Sequence, residues 1–112
     1  MYAAILIRRL KPGKTYEDFI KAWYPEKGFG IPIQGPNIGL NISDDRELVA
    51  IAYMDLPNVP SLEAVLERVA EQEAVRRARI DEVIEATTVR GIYEIKGRFD
   101  FSSDETVAAT VP

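Results

Sequence analysis

The chain has 112 residues, 46% of them hydrophobic and 29% charged, with a formal net charge of −4. That is the balance of one globular domain, and an acidic total excludes the global basic footprint of a nucleic-acid-binding protein. There is no Cys and no His, so disulfides, thiolate catalysis, zinc–thiolate sites, an imidazole base and a Ser-His-Asp triad are all excluded.

The opening run "YAAILIRRL" (2–10) is rich in Ile and Leu and reads as a mostly buried strand. "KPGK" (11–14) is a turn, and Thr15 follows as an N-cap with Asp18 three residues on, a variant of the capping box. Tyr16, Phe19, Ile20 and Trp23 recur at helical spacing, so an amphipathic helix is expected, ended by Pro25. "GFGIPIQGP" (28–36) then combines three glycines and two prolines with large apolar residues. A phosphate cradle needs its glycines after a strand and before a helix. Here they follow a helix and precede a strand, so the stretch reads as a stiff connector folded over the end of the layer, either closing a pocket mouth as a lid or packing there.

"NIGLNIS" (37–43) alternates, with Ile38, Leu40 and Ile42 on one face and Asn37, Gly39 and Asn41 on the other. "DDRE" (44–47) reads as the hairpin turn, and "LVAIAYM" (48–54) as an inner strand covered on both faces. A long helix begins near Ser61; Leu62, Val65, Leu66 and Val69 share a stripe with Ile80, Val83 and Ile84, but Glu73 and Arg76 interrupt it. Such a stripe predicts either a break near 72–77 or a middle that faces water. "TTVRGIYEIKGRF" (87–99) reads as the last strand, with Val89, Gly91, Tyr93 and Ile95 on one face. Residues 100–112 lack a pattern and read as a tail or a swapped arm.

The order β-α-β-β-α-β predicts a ferredoxin-like α+β domain over residues 1–99: a four-stranded antiparallel sheet with two helices on one face. Strands 1 and 3 are too apolar to leave the other face wet. Pairing with a second copy of the chain would cover it.

With "YAAILIRRLKPGKTYEDFIKAW", "NIGLNISDDRELVAIAYMD" and "ATTVRGIYEI" in this order, the chain resembles the dimeric α+β barrel superfamily, which includes antibiotic-biosynthesis-type monooxygenases. The resemblance is one of pattern and topology over roughly residues 1–97 and contains no catalytic signature. It implies a homodimer with facing sheets and a small apolar or aromatic ligand held between sheet and helices. It also implies oxidation of that ligand by O₂ without a cofactor, or lactone isomerisation, in some members. Haem-degrading relatives rely on a His that this chain lacks.

Site candidates follow from both lines of reasoning. Phe19, Trp23 and Tyr53 offer aromatic walls, with Tyr93 as a further one. Asn37 and Asn41 offer amides on the polar face of strand 2. The bland alternatives stay open: Trp23 as core, the asparagines as wet sheet-edge residues. Arg8, Arg9 and the other early basic residues read as solvated surface charges, with Arg9 and Arg90 as interface charges or anion anchors. Glu73, self-paired with Arg76 and Arg77, would be a general base only if buried. No metal, cofactor, nucleic acid or membrane is expected. "MYAAILIRRLKPG" lacks a signal-peptide layout, and a cytoplasmic location is expected. Two functions fit: a small-molecule monooxygenase or isomerase, and a non-catalytic dimer that binds a ligand or partner.

Overall fold

The computed structural model describes residues 1–25, 28, 30 and 33–105. Its elements are β1 (Tyr2–Leu10), α1 (Tyr16–Trp23), β2 (Ile33–Asn41), β3 (Asp44–Met54), α2 (Val59–Ile80) and β4 (Ile84–Glu94). The strands form a four-stranded sheet in the order β2-β3-β1-β4, with every neighbouring pair antiparallel. This is the ferredoxin-like arrangement expected from the element order.

Local chemistry sets the helix ends. Thr15 accepts from the Asp18 amide while the Asp18 carboxylate accepts from the Thr15 amide, a complete capping box. Asn58 caps α2 by accepting from the Ser61 amide at 2.9 Å. Pro60 is harmless in the first turn of α2, where its missing N–H would have no intrahelical acceptor.

Strand parity distributes the core. Tyr2, Leu10, Leu48, Met54 and Ile84 lie on the helix-covered face, where pairing aligns Tyr2 with Met54 and Leu10 with Ile84. One cluster joins Leu10, Phe19, Leu48, Ile80 and Ile84; a second joins Tyr2, Met54 and Leu62. Ile5, Ile7, Val49, Ile51, Tyr53, Val89 and Tyr93 share the opposite face by register. Ala3 is buried there between its register partners Tyr53 and Tyr93.

Several boundaries differ from expectation. The β2–β3 turn is Ile42–Ser43, not residues 44–47. Asn41 accepts from the Ser43 amide at 2.8 Å, which tightens the turn and leaves Ile42 fully exposed. β2 begins at Ile33 and slips register between Gln34 and Asn37, where Pro36 has no amide to offer the ladder. α2 is unbroken and starts at Val59. It ends at Ile80 because Ile84 pairs with Leu10 as the first residue of β4, so β4 spans 84–94 rather than 87–99. Residues 95–105 carry no regular element, and the end of the expected tail, 106–112, lies outside the described residues.

Candidate functional site

A cavity of about 320 Å³ lies between the sheet and α2. Its origin is a choice of small side chains. Between the two packed clusters, Ala4, Ala50 and Ala52 occupy the helix-covered face, and the Gly91 backbone on β4 also borders the space. Large residues there would meet α2. Alanines leave the space roofed by Val65 and Val69 and unfilled. Leu66 and Ile92, each about 40% exposed, border it toward solvent. Ile33 and Pro36 close the side toward β2.

One end of the cavity is charged. Arg8, Arg76 and Arg90 line it together with Glu73 and Trp23. Arg76 is 5% exposed, and its Nε donates to the Trp23 carbonyl at 2.7 Å. Its Nη1 pairs with Glu73, and its guanidinium lies 5.2 Å from the Trp23 ring centroid. Arg79 reaches the Tyr24 carbonyl at 3.5 Å. Two α2 arginines thus satisfy carbonyls at the C-terminus of α1, where the helix dipole favours cations. The interrupted stripe on α2 is explained: its middle neither breaks nor faces water, because Arg76 is buried and supplied with acceptors.

Arg8 differs. It is 8% exposed and lies 5.8 Å from the Phe19 ring centroid, yet its buried Nε and Nη1 find no hydrogen-bond partner among the described residues. Burial first, then the neighbouring Arg90 and Arg76, push its pKa down to about 10. It is therefore still a cation at neutral pH. A buried charge with unmet donors is costly unless something completes it.

The aromatic and amide candidates are only partly brought together. Phe19 and Trp23 stack with centroids 6.1 Å apart, but Phe19 is 1% exposed core and does not line the cavity. Trp23 does line it. Tyr53 and Tyr93 lie on the opposite face of the sheet, so a cavity shared by Phe19, Trp23 and Tyr53 is ruled out by strand parity. Asn37 pairs with Ile51 and shares that opposite face. Asn41 is spent at the hairpin, bonding Ser43 and Glu47. Arg9 also lies away from the cavity, in an ion cluster with Asp44 at 2.7 Å and Glu85 at 3.5 Å. Glu73 reaches the cavity but is held by Arg76.

Of the connector stretch, Ile33 and Pro36 form cavity wall. Gly30 and Gly35 take positive φ, and a Cβ on Gly35 would lie 3.2 Å from the Ile51 carbonyl oxygen. Phe29, Ile31 and Pro32, on which a lid would depend, lie outside the described residues.

A solved structure has the same fold. It is a crystal structure from Chloroflexus aurantiacus J-10-fl, provisionally designated an antibiotic biosynthesis monooxygenase. The two superpose with a TM-score of 0.59 over 90% of this chain and 98% of that one, at 17% identity. At that identity the likeness establishes the fold. No family model matches the sequence, and no curated protein matches it significantly.

The cavity-lining residues whose placement sequence reading missed are Arg8, read as a solvated surface charge but buried, and Arg76. The signal for Arg8 was its parity: Tyr2, Ala4, Leu6, Arg8 and Leu10 alternate along one face of β1. For Arg76 it was its place on the apolar stripe of α2. Among the described residues no helix is long and apolar enough to cross a membrane, and no three His, Cys, Asp or Glu gather as metal ligands.

Proposed function

We propose that the protein is a cytoplasmic homodimer that binds a small aromatic or enolic compound in the cavity beneath α2 and oxidises it with O₂ without a cofactor. The cavity carries this reading: a space of about 320 Å³ with an apolar floor and a cationic end suits a flat ligand with one polar group. The overall fold it shares with a provisionally designated monooxygenase supports the reaction class. In such a reaction a phenol and O₂ give a quinone and water, the substrate supplying all the electrons. The protein would orient the ring, exclude water and stabilise the phenolate or enolate with its guanidinium groups. A second copy would cover the face carrying Ile5, Ile7, Val49 and Ile51, which no helix of the described residues covers.

One observation favours the alternative of a non-catalytic binder. Glu73, the cavity's carboxylate, is already paired with Arg76, so among the described residues no free base faces the space. Oxygen uptake separates the two. Electron-rich phenols in air should consume O₂ stoichiometrically if the enzyme reading holds. Saturable quenching of Trp23 by the same phenols without O₂ uptake would leave the binder.

A further inference from the structure

We propose that the cationic end of the cavity is a carboxylate site, so that the natural ligand is a small organic acid with an apolar body, its carboxylate seated on Arg8 and Arg90. The inference rests on the reading that the cavity holds a small molecule, and it names the class.

Arg76 is satisfied by the Trp23 carbonyl and Glu73. Arg8 is more than nine-tenths buried, lines the cavity, and keeps two of its three guanidinium nitrogens without a partner among the described residues. Arg90 stands beside it: β4 pairs Arg90 with Leu6, and Arg8 is the next residue of β1 on that same face. Among the described residues, three guanidiniums line this end with one carboxylate, Glu73, and the exposed Asp81 is the further anion acting on Arg8, so the end keeps a net positive charge. A buried guanidinium with unmet donors costs stability, whereas an incoming carboxylate supplies both the acceptors and the charge.

The rest of the lining decides what the anion is attached to. Ala4, Ala50 and Ala52 offer no donors, so an inorganic oxyanion would meet acceptor-free, donor-free walls on its other sides. An apolar body attached to the carboxylate would instead bury against them. Arg90 is exposed and Arg8 is buried, so the two span the depth of the charged end. An acid entering there keeps one cation at its approach and gains a second, desolvated one on seating.

The test uses the full chain and matched probes: cinnamate, 4-phenylbutyrate and decanoate, each against its primary amide, with sodium sulfate as the inorganic anion. Affinity is read by calorimetry, and the Arg8 Nε–Hε resonance is followed by NMR in the unmutated protein. At least one acid should bind roughly tenfold or more tightly than its amide, the worth of one charge-assisted hydrogen bond. It should also shift the Arg8 resonance, while sulfate binds more weakly and its amide leaves that resonance in place. Arg8→Leu should abolish the preference for acid over amide without lowering the melting temperature of the ligand-free protein, and Arg8→Lys should restore part of the preference. Acid and amide binding equally would overturn the carboxylate site and leave the cavity reading standing. Sulfate matching the best acid would overturn it in favour of an inorganic anion. No binding by any probe, with Trp23 emission unmoved, would overturn both. A marked loss of stability in Arg8→Leu would show Arg8 to be structural, and an Arg8 resonance indifferent to every acid would sink the proposal whether or not the variant folds.

Discussion

Arg8 and Arg9 are adjacent in the chain and opposite in environment. Arg9 projects from the uncovered face of the sheet, about one-third exposed, and is paired with Asp44 and Glu85. Arg8 projects under the helices, 8% exposed, with two nitrogens unpartnered among the described residues. A strand reverses its side chains at every residue, so one peptide step separates a part-exposed ion pair from a buried cation with unmet donors. The same step divides the whole sheet. The covered face has filled ends and a hollow centre, and the other face carries Ile5, Ile7, Val49, Ile51 and Val89 with Tyr53, Tyr93 and Asn37 among them. Under the proposed function the two faces take different occupants: a small molecule in the hollow, and a second copy on the uncovered face.

The largest expected effect tests whether the filled end of the covered face is core in the full sense. Phe19 is 1% exposed within the Leu10, Leu48, Ile80 and Ile84 cluster. Phe19→Ala should cost about 3–5 kcal/mol in urea unfolding. Trp23→Ala should cost clearly less, because its ring borders space that already exists. Equal losses would erase the distinction between filled end and hollow centre.

The second effect belongs to the uncovered face. Ile51 sits at its middle, paired to Ile5 on one side and Asn37 on the other. If a second copy packs there, Ile51→Asp buries an unpaired carboxylate in the interface and should weaken association roughly a hundredfold or more, about 3 kcal/mol. Sedimentation of the unmutated chain at micromolar concentration should give twice the chain mass, and the variant a monomer with its helical signal retained. A parent that is already monomeric would count against the second sheet.

The fold was legible because its signals are local and redundant. Thr15 and Asp18 announce α1, and the apolar runs of β1 and β3 announce a central pair of strands. Boundaries were less legible where two patterns overlap. Ile84 continues the α2 stripe at helical spacing, but its pairing with Leu10 makes it strand, and pairing between distant segments leaves no mark in a local window. The site was read through its aromatics, and only Trp23 reaches the cavity. Tyr53 and Tyr93 fell on the other face because parity, not residue type, decides the side. The cavity itself was written in what is small, Ala4, Ala50 and Ala52, and its chemistry in Arg8, whose burial needs α1 and α2 to be in place.

Those alanines supply the third prediction. Ala52→Leu places a larger side chain into the hollow centre between the two clusters. In a filled core such an insertion costs about 1–3 kcal/mol. Here the added methyl groups have space, so stability should change by less than about 1 kcal/mol or rise. The same variant should lose the response of Trp23 emission to bound acids or phenols. A stability loss in the overpacking range would mean that α2 closes onto the sheet in solution and that the hollow is not there to be occupied.

The smallest effect returns to Arg9. Its hydrogen bond to Asp44, together with the bond from the Arg46 amide, holds the Asp44 carboxyl below the ordinary aspartate value. A carboxylate with a lowered folded-state pKa contributes stability that is full above its unfolded value and is lost as pH falls through the folded one. Both side chains are about one-third exposed, so solvent screens the pair and the contribution is small. Asp44→Asn should therefore melt slightly below the parent at neutral pH, and the two curves should converge in the acid range where Asp44 protonates. Added salt should narrow the gap further. Arg8→Leu should show neither to a comparable degree, because Glu73 and Asp81 act on Arg8 only through space and neither is hydrogen-bonded to it. Its melting temperature relative to the parent should stay nearly flat across the carboxylate range. A dip for Arg8→Leu parallel to that of Asp44→Asn would show that Arg8 has a directly paired carboxylate. The contrast between the two faces would then reduce to two ion pairs of different depth.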